Sequence, residues 1–173
     1  TMNETLKVLE TRRSCRNFDK ERMVSEEDIQ AVVKAGTYAA TGMGRQSPII
    51  IAVTNKELRD RLSAENAKIM GTATDPFYGA PVILIVLADK DIPTYQYDGS
   101  LVMGNLMNAA ESWVLAAFGF TGQKKSSSRT LEKRFLQILA LKAIMKELDI
   151  AQSDMQPHLP MRRHREKKTM FIM

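Results

Sequence analysis

The chain predicts a domain of mixed class, α+β or α/β, in which helices pack over a sheet. Three observations carry this reading. Four segments place apolar residues at helical spacing. Two short runs, Ile49–Thr54 and Val82–Ala88, are apolar and rich in β-branched residues without a helical period. The resulting order, α-α-β-α-β-α, interleaves the two kinds of element. At 173 residues, with 44% apolar and 26% charged content, a single domain with a sizeable core is expected.

Asn3–Thr11 carries Leu6, Val8 and Leu9 and reads as a short first helix. Thr11–Asp19 is a polar, basic turn. Ser25 with Asp28 three residues on, and Glu26 and Glu27 between them, has the pattern of a capped helix start. Ile29, Val32, Val33 and Ala35–Gly36 continue that second helix. Thr41–Pro48 is a glycine-rich loop and Ile49–Thr54 a strand. Lys56–Gly71 is a third helix with Leu58, Leu62 and Ile69 on its buried side. Asp75–Pro81 is a loop. The unbroken apolar run Val82–Ala88 has the composition of a strand buried on both faces. Tyr95–Ser112 opens with polar groups and continues as a Met/Ala-rich helix placed centrally in the domain.

Charge divides the chain at Ser112. Residues 1–112 hold 13 Lys+Arg and 15 Asp+Glu, a net of −2; residues 113–173 hold 12 and 5, a net of +7, giving +5 for the whole chain. The basic excess would ordinarily point to an anionic partner. Here it says nothing about the first 112 residues. The lone Cys15 excludes an internal disulfide and fits a reducing compartment. Thr1–Arg13 is polar, without the apolar stretch of a signal peptide, and no run is long enough to span a bilayer, so a cytoplasmic location and no membrane partner are expected.

Arg12-Arg13-Ser14-Cys15-Arg16 sets three guanidiniums and a hydroxyl within five residues. Guanidinium forks suit phosphate oxygens, and an anion would relieve their mutual repulsion. Read alone, the segment is better taken as a solvated basic turn, and Cys15 as a small buried apolar residue. Thr41-Gly42-Met43-Gly44-Arg45-Gln46-Ser47 offers backbone freedom, a hydroxyl, an amide and a cation. Its glycines would let backbone approach a flat ligand, although glycine-rich loops are common. In Asp75–Pro81, Phe77 and Tyr78 either wall a ring-shaped ligand or pack on the core. No catalytic triad and no metal-ligand cluster stands out, so neither catalytic nor metal-binding residues are assigned.

Taken together, these segments resemble the FMN-dependent nitroreductase family. The resemblance covers residues 1–112 and rests on Arg-Arg-Ser-Cys-Arg-Asn-Phe at 12–18 and Ala-Ala-Thr-Gly-Met-Gly-Arg-Gln-Ser-Pro at 39–48. Asn66 with Ile69-Met70-Gly71, and Asp75–Pro81, add to it. It implies an α+β fold: a three-layer α/β/α sandwich with a mixed, mostly antiparallel sheet. It implies that Arg12, Ser14 and Arg16, with Arg13 beside them, hold the FMN phosphate and ribityl chain. Thr41, Gly42, Met43 and Gln46 match the loop that contacts FMN across a dimer interface. Gly44 departs from the pattern, which usually has Asn there. Asn66 matches an Asn near the flavin's polar edge. The implied activity passes hydride from NAD(P)H through FMN N5 to a nitro compound, a quinone or a similar acceptor, in a homodimer. It requires no side-chain acid or nucleophile.

The same resemblance turns the charge seam into a question of reading frame. Trp113–Gly122, recoded one nucleotide out of frame, reads Leu-Gly-Leu-Gly-Ser-Phe-Trp-Ile-His-Arg, which is similar to the family at that place. Ile144–Ala151 and Asp154–Ile172 recode in that frame to further family-like segments, the second including Pro-Arg-Lys-Glu. For most residues only the first base of each shifted codon is free, which limits chance agreement. On this reading the chain is one nitroreductase-like domain over 1–173 with a frameshift after 112, no nucleic-acid partner, and no site residue beyond 112. Two alternatives stay open. One is a non-catalytic FMN-binding module. The other is a genuine basic tail, with Leu131–Leu148 an amphipathic helix and Arg162–Lys168 a charge run, that binds nucleic acid or a membrane surface.

Overall fold

The computed structural model describes residues 3–113, 115 and 117, and the backbone of residues 169–172. Helix α1 spans Glu4–Thr11, α2 Glu26–Thr37, α3 Lys56–Met70 and α4 Tyr95–Ser112. Strands β1 (Ile49–Val53), β2 (Ile83–Leu87) and β3 (Thr169–Ile172) form one sheet in the order β2-β1-β3. The first six elements follow the predicted order, with boundaries within a residue or two. Strand β3, the candidate seventh element, has no counterpart in that order.

Helix starts are set by local hydrogen bonds. Asn3, Ser25 and Asn55 each place a side-chain oxygen on a backbone N–H two or three residues on, satisfying donors that the first turn leaves open. Helix α3 stops at Gly71, whose φ of 66° is left-handed and whose Cβ position is open space. Helices α2 and α4 lie together on one face of β1. Ile29, Val32, Val33, Val102 and Leu106 close over Ile50 and Ala52. Their approach is tight at Gly36, where an added Cβ would come within 2.6 Å of Leu106 Cδ2 and 2.8 Å of Ile50 Cδ1. Asn105 Nδ2 also donates to the Ala35 carbonyl at 3.0 Å, pinning α4 to the end of α2.

Strand β1 is the buried centre. Ile50 to Val53 are all 0% exposed, so both alternating faces of the strand are covered, as a layered helix–sheet–helix arrangement requires. The sheet is mixed: β1 runs antiparallel to β2, with Ile49 opposite Leu87 and Val53 opposite Ile83, and parallel to β3, with Ile50 opposite Thr169. The expectation that Val82–Ala88 is buried on both faces is corrected. All five residues of β2 are only half-buried. The strand occupies an edge of the described sheet, and the doubly buried strand is the equally long, more β-branched β1. The anticipated helix Leu131–Leu148 and the basic run Arg162–Lys168 lie outside the described residues.

Candidate cofactor site

The 12–16 segment leaves α1 in extended form. Arg12 caps the helix through its N–H to the Val8 carbonyl. Ser14 forms an isolated parallel bridge with Ala117, and the Cys15 N–H donates to the Ala117 carbonyl at 3.1 Å. The chain just past the charge seam is thereby laid beside the basic segment. The guanidiniums are not equivalent. Arg13 Nη1 turns back to the Glu10 and Arg12 carbonyls at 2.8 and 2.9 Å, neutralising open acceptors at the helix end. Arg12 Nη1 is buried without a partner, and Arg16 is exposed. Cys15 is half-buried, with its thiol on the Asn17 carbonyl at 3.1 Å.

The 41–46 loop is a tight turn. Gly42–Gly44 form a single 3₁₀ turn, and Met43, Gly44 and Gln46 have φ of 56°, 64° and 54°. Glycine accepts the left-handed region freely. Met43 and Gln46 do not, so the turn stores strain of about 1–3 kcal/mol per residue that its surroundings must offset. Two anchors do so. Thr41 Oγ1 accepts from the Gln46 N–H at 3.0 Å, closing the loop on itself. Asp98 Oδ1, from the first turn of α4, accepts from the Gly42 N–H at 2.9 Å. Met43 is left 84% exposed. Gln46 Oε1 and Ser47 Oγ are buried with no partner.

Those orphaned atoms test whether a cofactor fits. Buried polar groups are nearly always satisfied, so each unsatisfied one calls for an explanation. Arg12 Nη1 is a charged donor, Gln46 Oε1 an acceptor, and Ser47 Oγ can be either. Such a set suits a ligand with an anionic end, hydroxyls and a ring edge bearing both N–H and C=O. FMN has all three, and the residues present fit it.

The remaining predicted residue stands apart. Asn66 lies on α3, where its Nδ2 donates to the Leu62 carbonyl of its own helix at 2.9 Å. Among the described residues no hydrogen bond joins it to the 12–16 segment or the 41–46 loop. In the 75–81 loop, Phe77 is buried and Tyr78 is exposed at a φ of 53°. Phe77 therefore packs in the interior, while the Tyr78 side chain reaches the surface. Asp75 organises this loop. It accepts from Ser63 Oγ at 2.6 Å, from the Phe77 and Gly79 N–H groups at 2.9 and 2.8 Å, and from Arg59 Nη2. Arg59 is itself buried, donates from Nε to the Ala80 carbonyl at 2.9 Å, and lies over the Phe77 ring. Burial opposes ionisation of Asp75, but the bonds from Ser63, Arg59 and the two backbone amides outweigh it and hold its pKa at about 2.

Sequence reasoning missed Asp98, Thr94 and the Arg59–Asp75 pair. A signal existed for the first two: Thr94 and Asp98 stand four apart at the start of an otherwise Met/Ala-rich helix, where an acid on the first turn facing the core needs donors to receive. Among the described residues no group of three or more His, Cys, Asp and Glu side chains could hold a metal ion, and no helix is long and apolar enough to cross a membrane.

Comparison with known proteins supplies the context. The family model described as "Nitroreductase family" matches residues 9–144. A protein of Archaeoglobus fulgidus, provisionally named an NADH dehydrogenase/NAD(P)H nitroreductase, is 31% identical over 116 residues, covering 67% of this chain and 62% of its own length. The chain thus spans less than two thirds of that relative. A nitroreductase with bound FMN from Desulfitobacterium hafniense is 34% identical with a TM-score of 0.58, over 65% of this chain and 67% of that one. One from Bacteroides fragilis, also with bound FMN, is 25% identical with a TM-score of 0.58, over 65% and 66%. The α+β fold expected from the sequence is therefore the fold of these proteins.

Proposed function

The chain belongs to the nitroreductase family, and on that premise we propose that it is an FMN-dependent oxidoreductase. The observation that carries this reading is the pair of buried, unpartnered side-chain atoms, Arg12 Nη1 and Gln46 Oε1, on the two segments whose sequences match the family's FMN-binding motifs. FMN would supply two-electron chemistry, taking hydride from NADH or NADPH and delivering it to a nitro compound, quinone or similar small acceptor. The chain's own contribution is to bind and orient. Arg12, with Ser14 and Arg16 near it, would receive the phosphate end; Thr41, Gly42, Met43 and Gln46 would present backbone and amide groups to the remainder; Asn66 would serve the flavin's polar edge.

We propose also that the working unit is a homodimer in the cytoplasm, with cofactor binding and dimerisation coupled. The protein should be yellow, with an absorbance band near ~450 nm from the bound cofactor. A colourless chain that takes up no added FMN would overturn the assignment. Bound flavin that neither NADH nor NADPH reduces would leave a non-catalytic binding module in its place.

The frame reading is tested separately. Residues 113–173 as written carry the whole basic excess of the chain. We propose that they are one nucleotide out of frame with the family's C-terminal half. Intact mass with peptide mapping decides it: peptides from 130–146 as written would refute the shift, and peptides of the recoded frame would establish it. Should the written tail be the physical one, salt-dependent binding to DNA or anionic vesicles is the competing outcome.

A further inference from the structure

We propose that Asp98 is a positioning residue for the cofactor, acting through the backbone of the 41–46 loop; this rests on the FMN reading above. Asp98 is 1% exposed, among the most deeply buried polar side chains described. Both of its oxygens are used. Oδ1 accepts from the Gly42 N–H at 2.9 Å and Oδ2 from Thr94 Oγ1 at 3.0 Å. The bond to Gly42 spans 56 positions of sequence and ties the loop to the central helix. Burying a carboxylate is costly unless its donors are fixed, so the arrangement holds all three groups in one geometry.

Two further observations connect this clamp to the cofactor. First, the loop is strained at Met43 and Gln46, and such conformations persist only where neighbouring structure over-determines them. The clamp and the Thr41–Gln46 bond are the two anchors that do so. Second, the strained turn ends at Gln46, whose buried Oε1 lacks a partner. Releasing Gly42 would let the turn relax and swing that acceptor away. Gly42 itself is constrained by the clamp: a Cβ there would lie 2.3 Å from Thr94 Oγ1. The approach of Thr94 therefore leaves no room for a side chain at 42.

The experiment compares the full-length wild type with Asp98→Ala, Asp98→Asn and Gly42→Ala. FMN affinity is read by quenching of flavin fluorescence, and amide exchange is followed over residues 41–47 and over β1. Asp98→Ala and Gly42→Ala are expected to weaken FMN binding at least tenfold and to speed exchange in the loop at least tenfold, with β1 unchanged. Asp98→Asn keeps an acceptor for Gly42 and is expected to stay within threefold of wild type. If Asp98→Ala does not fold, Thr94→Val decides instead, since it removes the donor to Asp98 Oδ2 and lies outside the residues assigned to the cofactor: wild-type affinity and loop exchange in it would overturn the inference. Wild-type affinity in folded Asp98→Ala or Gly42→Ala would overturn the inference. Failure of the FMN reading itself is distinct: the wild type would then not quench flavin fluorescence at all.

Discussion

At the residue scale, the charges that matter are those whose donors are fixed. Asp75 has a pKa of about 2 in the folded chain against an ordinary 3.8. Its contribution to stability is complete above pH 3.8 and is lost as the pH falls through 2, because acid then protonates a carboxylate that the fold holds ionised. The shift corresponds to about 2 kcal/mol. Asp75→Asn is expected to lower the urea-unfolding free energy by about that amount at pH 7, and the gap to wild type should narrow by pH 3. An equal gap at both pH values would show that the charge is not what matters. Asp75→Ala should cost more, about 3 kcal/mol, since it takes every acceptor from Nη2 of the buried Arg59 and leaves that guanidinium only Asp60 and the Ala80 carbonyl. The sequence showed Asp75 only as a loop residue. Its partners Arg59 and Ser63 lie on α3, and no local pattern reveals that a helix and a loop 12–16 residues apart share a buried ion pair. Arg12 and Gln46 could be proposed from the sequence because their motifs are local, whereas Asp98 could not, because its partner lies 56 positions away.

At the element scale, helix boundaries were the most legible feature. Capping is a local transaction: Ser25 and Asp28 announce α2 in sequence, and in the structure Ser25 Oγ accepts from the Asp28 N–H at 3.1 Å. Ser25→Ala should cost about 1 kcal/mol. The relative burial of the two strands was not legible, since an apolar run reads the same whether the strand is central or at an edge. What fixes β1 as central is its pairing on both sides and the close approach of α2 and α4. That approach depends on the missing side chain at Gly36. Gly36→Ala would improve helix propensity but drive Cβ into Leu106 and Ile50, so overpacking should win and destabilise the domain by about 1–3 kcal/mol. Urea midpoints would check this; a stabilised variant would mean that α4 can move outward freely. Shortening the neighbour in the same chain, as Gly36→Ala with Leu106→Val, should recover part of the loss if the clash is the cause.

At the scale of the whole molecule, helix α1 is left largely uncovered by the other described residues. Helix α1 has no buried residue, and Leu6 and Leu9 are each about half exposed, at 52% and 54%. An eight-residue helix is too short to persist in water on its own propensity, so its stability must come from packing. Within the described chain its links to α4 are slight: Thr11 Oγ1 reaches Glu111 at 3.4 Å, a long and exposed contact. In the proposed homodimer a second copy would cover the Leu6–Leu9 side and order the 12–16 segment that follows. Completing the burial of the two leucines would contribute about 1 kcal/mol each. Leu6→Lys with Leu9→Lys is therefore expected to raise the dimer dissociation constant at least tenfold in sedimentation equilibrium. The far-ultraviolet spectrum should be unchanged beyond α1, because neither residue belongs to the core cluster of the described residues. FMN affinity should fall in parallel, since Arg12 follows directly from this helix. A double variant that dimerises like wild type would place the interface elsewhere, and a wild type that sediments as a monomer would remove the homodimer from the proposal.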